Sequence, residues 1–448
     1  MNEPFTAAEP GRRAPDAHGT AATLLASTLA AHRPALLARL LRQFGLAHLE
    51  RVEDALQQAG LQAMATWPAA GPPAQPAAWL LTVARHAAID QWRVDRPLQP
   101  WPDDPEIDAA QALPAALHTP APAGRFGGEL DDDELALLLA ACHPAVPLAS
   151  QVLLALRCLT ALDLATLADA LFTTEAALAQ RLARARAALA PQTLAVPAGP
   201  ALAERRAAVL ATLWLMYGEG SKAAARQGER AAGEAAARRL CWEAIRLARA
   251  LAAHPATAHA DADALAALLL FHGARLTGRL DEAGDIVPLP GQARDRWDGG
   301  MLRLAVHHLQ RAQRATTLSR YHLLAGMAAE HALAPSYAQT DWARIVQWYH
   351  LLTQLDPTPA PRLGQAIALA EAGEAEQARA QLLRLLPQVP AALRPHTLAG
   401  LAQAHWRLGD RDAALAWQDQ AIAAARHPAD ARMLRRRRAE LAGPAPSA

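Results

Sequence analysis

The chain contains 448 residues with a formal net charge of +1, and 52% of its residues are hydrophobic. This length predicts about two to four domains. A net charge so close to zero removes the simple electrostatic argument for a nucleic-acid partner, although it is compatible with a basic face. Alanine and leucine dominate the apolar residues, whereas valine, isoleucine and aromatic residues are scarce. Because this composition favours helix over strand, we predict an all-α protein.

Cysteine usage and the N-terminus exclude several classes of protein. Cys142, Cys158 and Cys241 lie far apart without a C-x-x-C spacing, so neither a disulfide framework nor a thiolate metal site is indicated. The N-terminal residues lack the apolar region of a signal peptide, and no stretch reaches the roughly 18 apolar residues of a membrane span. We therefore expect a cytoplasmic protein that does not engage a membrane.

Prolines and glycines divide the helical pattern into segments. The first block is interrupted at residues 68–76, because four prolines and a glycine in this stretch are predicted not to lie inside a helix. An acidic run, residues 131–134, suits the first turn of the second block. The predicted segments are a disordered tail (1–20), a first helical block (21–96), a flexible linker (97–129), a second helical block (130–190), a hinge (191–200) and a third helical block (201–442).

Two stretches near the end of the third block superimpose with a period of about 36 residues. Residues 368–386 align with residues 404–422, and each carries a glycine between two helical patterns. We expect small residues where the helices of each unit cross. The aligned pairs are Gly373 with Gly409, Ala378 with Ala414, and Ala380 with Ala416. This pattern predicts a short stack of tetratricopeptide-like helical hairpins.

Residues 164–189 read as two short helices around a break at residues 172–174. Thr174 is a suitable N-cap for the second helix. Apolar side chains for the inner face are Leu167, Ala168, Leu171, Leu178 and Leu182. Donors for phosphates and base edges are Gln180, Arg181, Arg184 and Arg186. Taken alone, the pattern is compatible with a DNA-binding helix-turn-helix and with a solvated structural pair of helices.

The first block carries motifs that point to a known family. Residues 52–67 and 76–93 resemble region 2 of bacterial sigma factors of the extracytoplasmic-function group. Glu53, Asp54 and Gln57 match the motif that docks on the clamp of core RNA polymerase in that family. The loop-and-helix motif that follows is matched by Trp67, Pro76, Trp79, Leu80, Ala84, Arg85, Ile89, Asp90 and Arg93. The resemblance implies that Arg85, His86 and Arg93 open −10 promoter DNA.

The second and third blocks extend the same resemblance. Residues 141–189, which include the triplet Cys142-His143-Pro144, resemble sigma region 4 without gaps. The resemblance implies that this domain binds the polymerase flap and that its final hairpin reads the −35 element. The third block resembles a subgroup with a C-terminal tetratricopeptide-like extension, expected to be a regulatory module that recognises a protein or peptide partner. The family implies no enzymatic activity, no cofactor and no metal.

This sequence departs from the family pattern at basic positions. His86, Ala87, Gln91 and Val94 stand where the family usually has asparagine and arginines, and Asp163 and Asp169 lie on the supporting side of the hairpin. Each lost phosphate contact removes part of the counterion-release contribution to affinity. We therefore expect weak DNA binding that depends on polymerase.

Two other functions stay open at the level of sequence. One is a tetratricopeptide-like interaction scaffold whose sigma-like N-terminal half is degenerate, and the other is a helical hydrolase that uses Glu330 and His331. The resemblance implies that Glu330 and His331, like Asp298 and Asp341, hold helix junctions instead. The "GEGSK" stretch lacks phosphate-loop spacing, and Gly220 is predicted to end the helix that contains Trp214.

Overall fold

A computed structural model describes residues 17–45, 48–95, 132–160, 162–171, 173–190, 197, 199–226, 231–281 and 285–443. Within these residues the fold is helical, as predicted, apart from one isolated antiparallel bridge between Leu280 and Ile286. The chain forms two compact units that alternate along the sequence, and two of the boundaries fall inside helices, between Ala179 and Gln180 and between Arg205 and Arg206. Among the helices of the described residues, none is long and apolar enough to cross a membrane.

The first unit begins with a three-helix bundle. Its helices are α1 (Ala17–Phe44), α2 (Leu49–Ala70) and α3 (Pro76–Asp95). Helix α2 packs against both of the others, because alanines at helical spacing on its inner face allow close approach. Ala55 lies in a buried cluster with Ala87 and Ala88, and Phe44 closes the end of this cluster. The ring centroids of Trp67 and Trp79 lie 5.6 Å apart in an edge-to-face contact.

The predicted interruption at residues 68–76 is shorter than expected, because Pro68 lies inside α2. The proline sits in the last turn, where its missing N–H removes one hydrogen bond without preventing the helix from continuing to Ala70. The helix ends at Gly71, whose φ of 79° is accessible to glycine and whose N–H donates to the Trp67 carbonyl at 2.9 Å. Pro76 then starts α3.

The first unit also contains helices from the second sequence block, α4 (Asp132–Ala141) and α5 (Leu148–Leu159). Helix α4 begins at the acidic run, as predicted. Cys142 and Cys158 are buried, and burial is the main cause that raises the pKa of Cys158 to about 12. The hairpin helices follow as α6 (Leu164–Ala170) and α7 (Glu175–Leu189).

Helix α8 (Gly199–Arg226) begins in the first unit, and its residues from Arg206 belong to the second unit. The prediction that Gly220 ends this helix is wrong, since the helix continues for six residues beyond it. A glycine inside a helix costs about 1 kcal/mol relative to alanine but does not force termination, and good helix formers follow it here. Gly220 itself is buried.

The remaining helices form the second unit with α6. They are α9 (Ala231–Ala253), α10 (Ala260–Gly273), α11 (Gly299–Ala312), α12 (Arg320–Leu333), α13 (Trp342–Leu355), α14 (Pro359–Glu371), α15 (Ala375–Leu385), α16 (Arg394–Arg407), α17 (Arg411–Ala424) and α18 (Pro428–Ala442). Consecutive helices from α13 to α18 pack against one another. Three short 3₁₀ turns lie between α10 and α11, at Leu276–Gly278, Leu289–Gly291 and Arg294–Arg296.

The two aligned sequence stretches form equivalent helical hairpins, α14 with α15 and α16 with α17. Their turns contain Gly373 with φ 92° and Gly409 with φ 81°, a left-handed conformation that favours glycine. Ala378 and Ala414 are fully buried, as expected for helix crossings. The same expectation is wrong for the aligned alanines Ala380 and Ala416, which are exposed because they lie on the outer face of α15 and α17.

Candidate functional site

Glu53 on α2 is held by two arginines of the first unit. Its Oε1 accepts a hydrogen bond from Arg33 Nη2 of α1 at 2.7 Å, and its Oε2 accepts one from Arg157 Nη2 of α5 at 2.8 Å. The same Arg33 donates to the backbone carbonyls of Arg157 and Thr160. Only 11% of the Glu53 side chain is exposed. The carboxylate is therefore neutralised within the protein and faces little solvent.

The neighbouring positions on α2 face solvent. Asp54 and Gln57 are exposed and lie one helical turn apart. Leu61, one further turn along, has 66% of its surface exposed, which is unusual for a leucine in this protein. We call Asp54, Gln57 and Leu61 the α2 stripe. All three side chains of the α2 stripe are therefore accessible to a partner.

Helix α3 presents Arg85 and His86 to solvent, while Leu80 and Ala84 on its opposite face are buried. The side chain of Arg93, the third residue predicted to contact −10 DNA, lies outside the described residues. The structure therefore shows one exposed arginine and one exposed histidine on this surface of α3. A surface with so few cations neutralises few phosphates.

The hairpin has the predicted inner face, since Leu167, Ala168, Leu178 and Leu182 are buried, whereas Leu171 is half-buried. Thr174 caps α7, because its Oγ1 accepts the Ala177 N–H at 3.2 Å.

The predicted DNA-contacting residues of α7 differ in accessibility. Gln180 and Arg184 are exposed, and Arg181 is half-buried. Arg186 donates from Nη2 to the Glu50 carboxylate, and only 11% of its side chain is exposed. Three of the four predicted contacts thus remain available to DNA without breaking an ion pair.

Sequence reasoning did not find Arg33, Arg157 or Leu61. The two arginines are separated from Glu53 by 20 and 104 residues, so no helical spacing connects them to it. Leu61 carries a readable signal, because it follows Gln57 by four residues and therefore lies on the same polar face of α2.

The candidate hydrolase residues lie in the second unit. Glu330 pairs with Arg344 at 3.1 Å, and His331 makes an edge-to-face contact with Trp342 at a centroid distance of 5.1 Å. Burial and the nearby charges of Arg275 and Arg294 lower the pKa of His331 to about 4. The Glu330 carboxylate is thus engaged with Arg344, and His331 packs against Trp342.

Asp298 and Asp341 were expected to hold helix junctions, and this is confirmed. Asp298 accepts the Met301 N–H and caps α11, and Asp341 accepts the Arg344 N–H and caps α13. Within the described residues, no group of three or more histidine, cysteine, aspartate or glutamate side chains could hold a metal ion.

Comparison with known proteins assigns the bundle that carries Glu53, Asp54, Gln57, Arg85 and His86. Residues 29–96 match the family described as Sigma-70 region 2, so the chain carries a sigma region 2 domain. Residues 205–313 match a family of unknown function, DUF6596. No solved structure matches the chain.

One relative extends over almost the whole sequence. The chain is 33% identical over 419 residues to the uncharacterized protein R00370 of Rhizobium meliloti (strain 1021). The matched region covers 91% of this chain and 93% of that protein. The chain therefore belongs to the same family as that protein, and the shared length includes both the sigma region 2 domain and the helical C-terminal part.

Proposed function

We propose that this protein is a sigma factor of the extracytoplasmic-function type, which binds core RNA polymerase and directs it to specific promoters. The observation that carries the proposal is the Sigma-70 region 2 match over residues 29–96. That range contains the exposed α2 stripe and the exposed Arg85 and His86. In this account the α2 stripe docks on the polymerase clamp, and α3 contacts −10 DNA.

The hairpin of α6 and α7 supplies contacts to the −35 element in this account. Its buried leucines and its capped second helix support the helix-turn-helix interpretation, and Gln180, Arg181 and Arg184 are the available donors. The few cations on α3 and α7 support weak intrinsic DNA affinity. Promoter binding then depends on polymerase, which places both DNA-contacting elements on the same duplex.

The ion pairs of Glu53 add a step to docking. If Glu53 contacts the clamp as its motif implies, the bonds to Arg33 and Arg157 break first. Breaking a largely buried pair costs several kcal/mol unless polymerase supplies replacement partners. Asp54 and Gln57 require no such step because they are already exposed.

The C-terminal helical hairpins are the regulatory part of this proposal. Stacked hairpins that share buried alanines at their crossings are typical of repeat domains that bind protein segments. We propose that this part of the chain regulates initiation through a protein or peptide partner.

A second function is favoured by one observation. The same ion pairs that make Glu53 inaccessible are compatible with a scaffold whose sigma-like half no longer binds polymerase. A direct binding measurement separates the two functions.

The test is the affinity of the full-length protein for purified core RNA polymerase. The double variant Asp54→Ala, Gln57→Ala is expected to bind core polymerase at least about tenfold more weakly than wild type, because central contacts carry most of the binding energy. The matched control is Gln43→Ala, which removes an exposed side chain of α1 outside the stripe. Absence of binding by the wild-type protein would favour the scaffold.

A further inference from the structure

Two arginines of the second unit flank one buried tryptophan. The guanidinium carbon of Arg275 lies 5.5 Å from the ring centroid of Trp297, and that of Arg294 lies 4.7 Å from it. Trp297 is only 7% exposed. Arg279, which follows Arg275 across the 3₁₀ turn at Leu276–Gly278, adds a third positive charge close enough to act on Arg275. We call Arg275, Arg279 and Arg294 the arginine cluster.

The hydrogen bonds of the arginine cluster go to neutral groups. Arg275 Nε donates to Gln292 Oε1 at 3.2 Å, and Arg279 donates to the hydroxyl of Ser221. Arg294 Nη1 donates to the backbone carbonyls of His331 at 2.6 Å and Ala334 at 2.9 Å. None of the three arginines pairs with a carboxylate among the described residues.

The nearby carboxylates are engaged elsewhere. Asp285 pairs with Arg432 of α18 at 2.7 Å, and Asp281 pairs with Arg436 of the same helix at 2.7 Å. Asp298, which directly follows Trp297, caps α11. Within the described part of the chain, these three carboxylates are thus committed to other partners, and no ion pair joins a carboxylate to the arginine cluster.

The titratable groups around the cluster respond to this excess of positive charge. Burial and the charges of Arg279 and Arg294 lower the pKa of Arg275 to about 10. Burial, followed by the charges of Arg275 and Arg279, lowers the pKa of His272 to about 3. Unpaired positive charge in a partly buried position is costly, so its persistence needs a reason.

The same place contains polar atoms without partners. Seven buried side-chain atoms make no hydrogen bond within the described residues, and four of them belong to this place, namely Tyr217 Oη, Arg294 Nη2, Trp297 Nε1 and His331 Nδ1. The first three are hydrogen-bond donors, and His331 Nδ1 is a donor in one of its tautomers. Buried donors are almost always satisfied in folded proteins, so several unsatisfied ones beside uncompensated cations indicate a missing acceptor.

We infer that the arginine cluster binds the phosphate group of a small molecule. A phosphate dianion supplies the missing negative charge and accepts several hydrogen bonds, and the planar guanidinium group matches its oxygens in a bidentate manner. The cluster is only partly exposed, which suits a small phosphorylated ligand, since duplex nucleic acid presents its phosphates to exposed side chains. The site lies largely within the DUF6596 match and extends beyond the proposed sigma function.

Calorimetric titration of the full-length protein with inorganic phosphate, at constant ionic strength set by chloride, tests this assignment. Saturable binding is expected for wild type. Arg275→Gln and Arg279→Gln are each expected to weaken it by about tenfold or more, because each removes a charged donor. The matched control is Arg296→Gln, which removes an exposed arginine two residues from Arg294 and is expected to leave phosphate affinity unchanged.

Thermal unfolding without phosphate separates binding from a structural role. Removing one of several uncompensated positive charges is expected to leave the melting temperature of Arg279→Gln equal to or above that of wild type. Added phosphate is then expected to raise the melting temperature of wild type but not of the variant. Should Arg275→Gln fail to fold, Arg279→Gln alone carries the test.

Three results would overturn the inference. The first is an absence of saturable phosphate binding by wild type. The second is a loss of phosphate affinity in Arg296→Gln as large as that in Arg279→Gln. The third is that wild type binds succinate but not phosphate under the same conditions.

Discussion

Arginines lie partly buried in both units of this protein, and the two places differ in what surrounds them. Arg33 and Arg157 of the first unit share one carboxylate, that of Glu53, at 2.7 and 2.8 Å. Arg275 and Arg294 of the second unit share one indole ring and have no described carboxylate partner. A neutralised arginine needs no further partner, whereas a partly buried arginine without a described counterion leaves a charge that an anion could compensate. Charge balance thus separates a structural contact from a candidate binding site.

Removal of the shared carboxylate is the strongest way to test the first half of this comparison. Glu53→Gln leaves Arg33 and Arg157 without a counterion, and we expect it to lower the free energy of unfolding by about 2–3 kcal/mol. Urea denaturation at pH 7 measures this change. The control Asp54→Asn removes an exposed charge at the next residue and should alter stability by less than about 0.5 kcal/mol. Equal effects of the two variants would show that the Glu53 ion pairs do not stabilise the first unit.

Acid should destabilise the protein through the histidines beside the arginine cluster. The pKa values of His272 and His331 are lowered to about 3 and about 4 in the folded protein, against about 6.5 in an unfolded chain. Below pH 6.5 the unfolded state therefore binds protons first, and the free energy of unfolding falls as the pH is lowered towards 4. We expect each of these two residues to contribute a loss of about 2 kcal/mol between pH 7 and pH 5.

Urea denaturation at several pH values measures how steeply the free energy of unfolding depends on pH, and His331→Gln is the informative variant. It removes one titrating group, so its stability should depend less on pH than that of wild type. An unchanged slope in this variant would contradict the burial of a neutral His331 beside Arg275 and Arg294.

An ion pair whose carboxylate is exposed gives the smallest expected effect and provides a reference for the comparison. Arg186 pairs with Glu50, whose side chain is 68% exposed, so water and salt screen the interaction. We expect Glu50→Gln to change the free energy of unfolding by no more than about 0.5 kcal/mol in urea denaturation. A loss as large as that of Glu53→Gln would mean that exposure does not distinguish the two pairs.

Local features of the fold could be read from the sequence because they depend on neighbouring residues. The all-α class, the turn at Gly71, the cap at Thr174 and the repeated turns at Gly373 and Gly409 follow from composition, capping and glycine placement. Helix continuation through Pro68 and Gly220 was not predicted, since each breaker costs a local penalty that tertiary packing can offset.

The charged contacts could not be predicted in the same way. Glu53 and Arg157 are 104 residues apart, and Arg294 reaches the carbonyls of residues 37 and 40 positions away. The packing of helices from distant parts of the chain determines which arginine forms an ion pair with a carboxylate. The sequence motif therefore predicts that Glu53 is a docking residue, whereas the structure adds that its carboxylate is already bound to Arg33 and Arg157.

Run-off transcription with purified core RNA polymerase and a promoter library tests the central claim, that this protein is a sigma factor. With the full-length protein present, we expect transcripts from a subset of promoters that core polymerase alone does not produce. The Asp54→Ala, Gln57→Ala variant should give markedly less transcript, and Gln43→Ala should give as much as wild type. An absence of protein-dependent transcripts from every promoter of the library would contradict the claim.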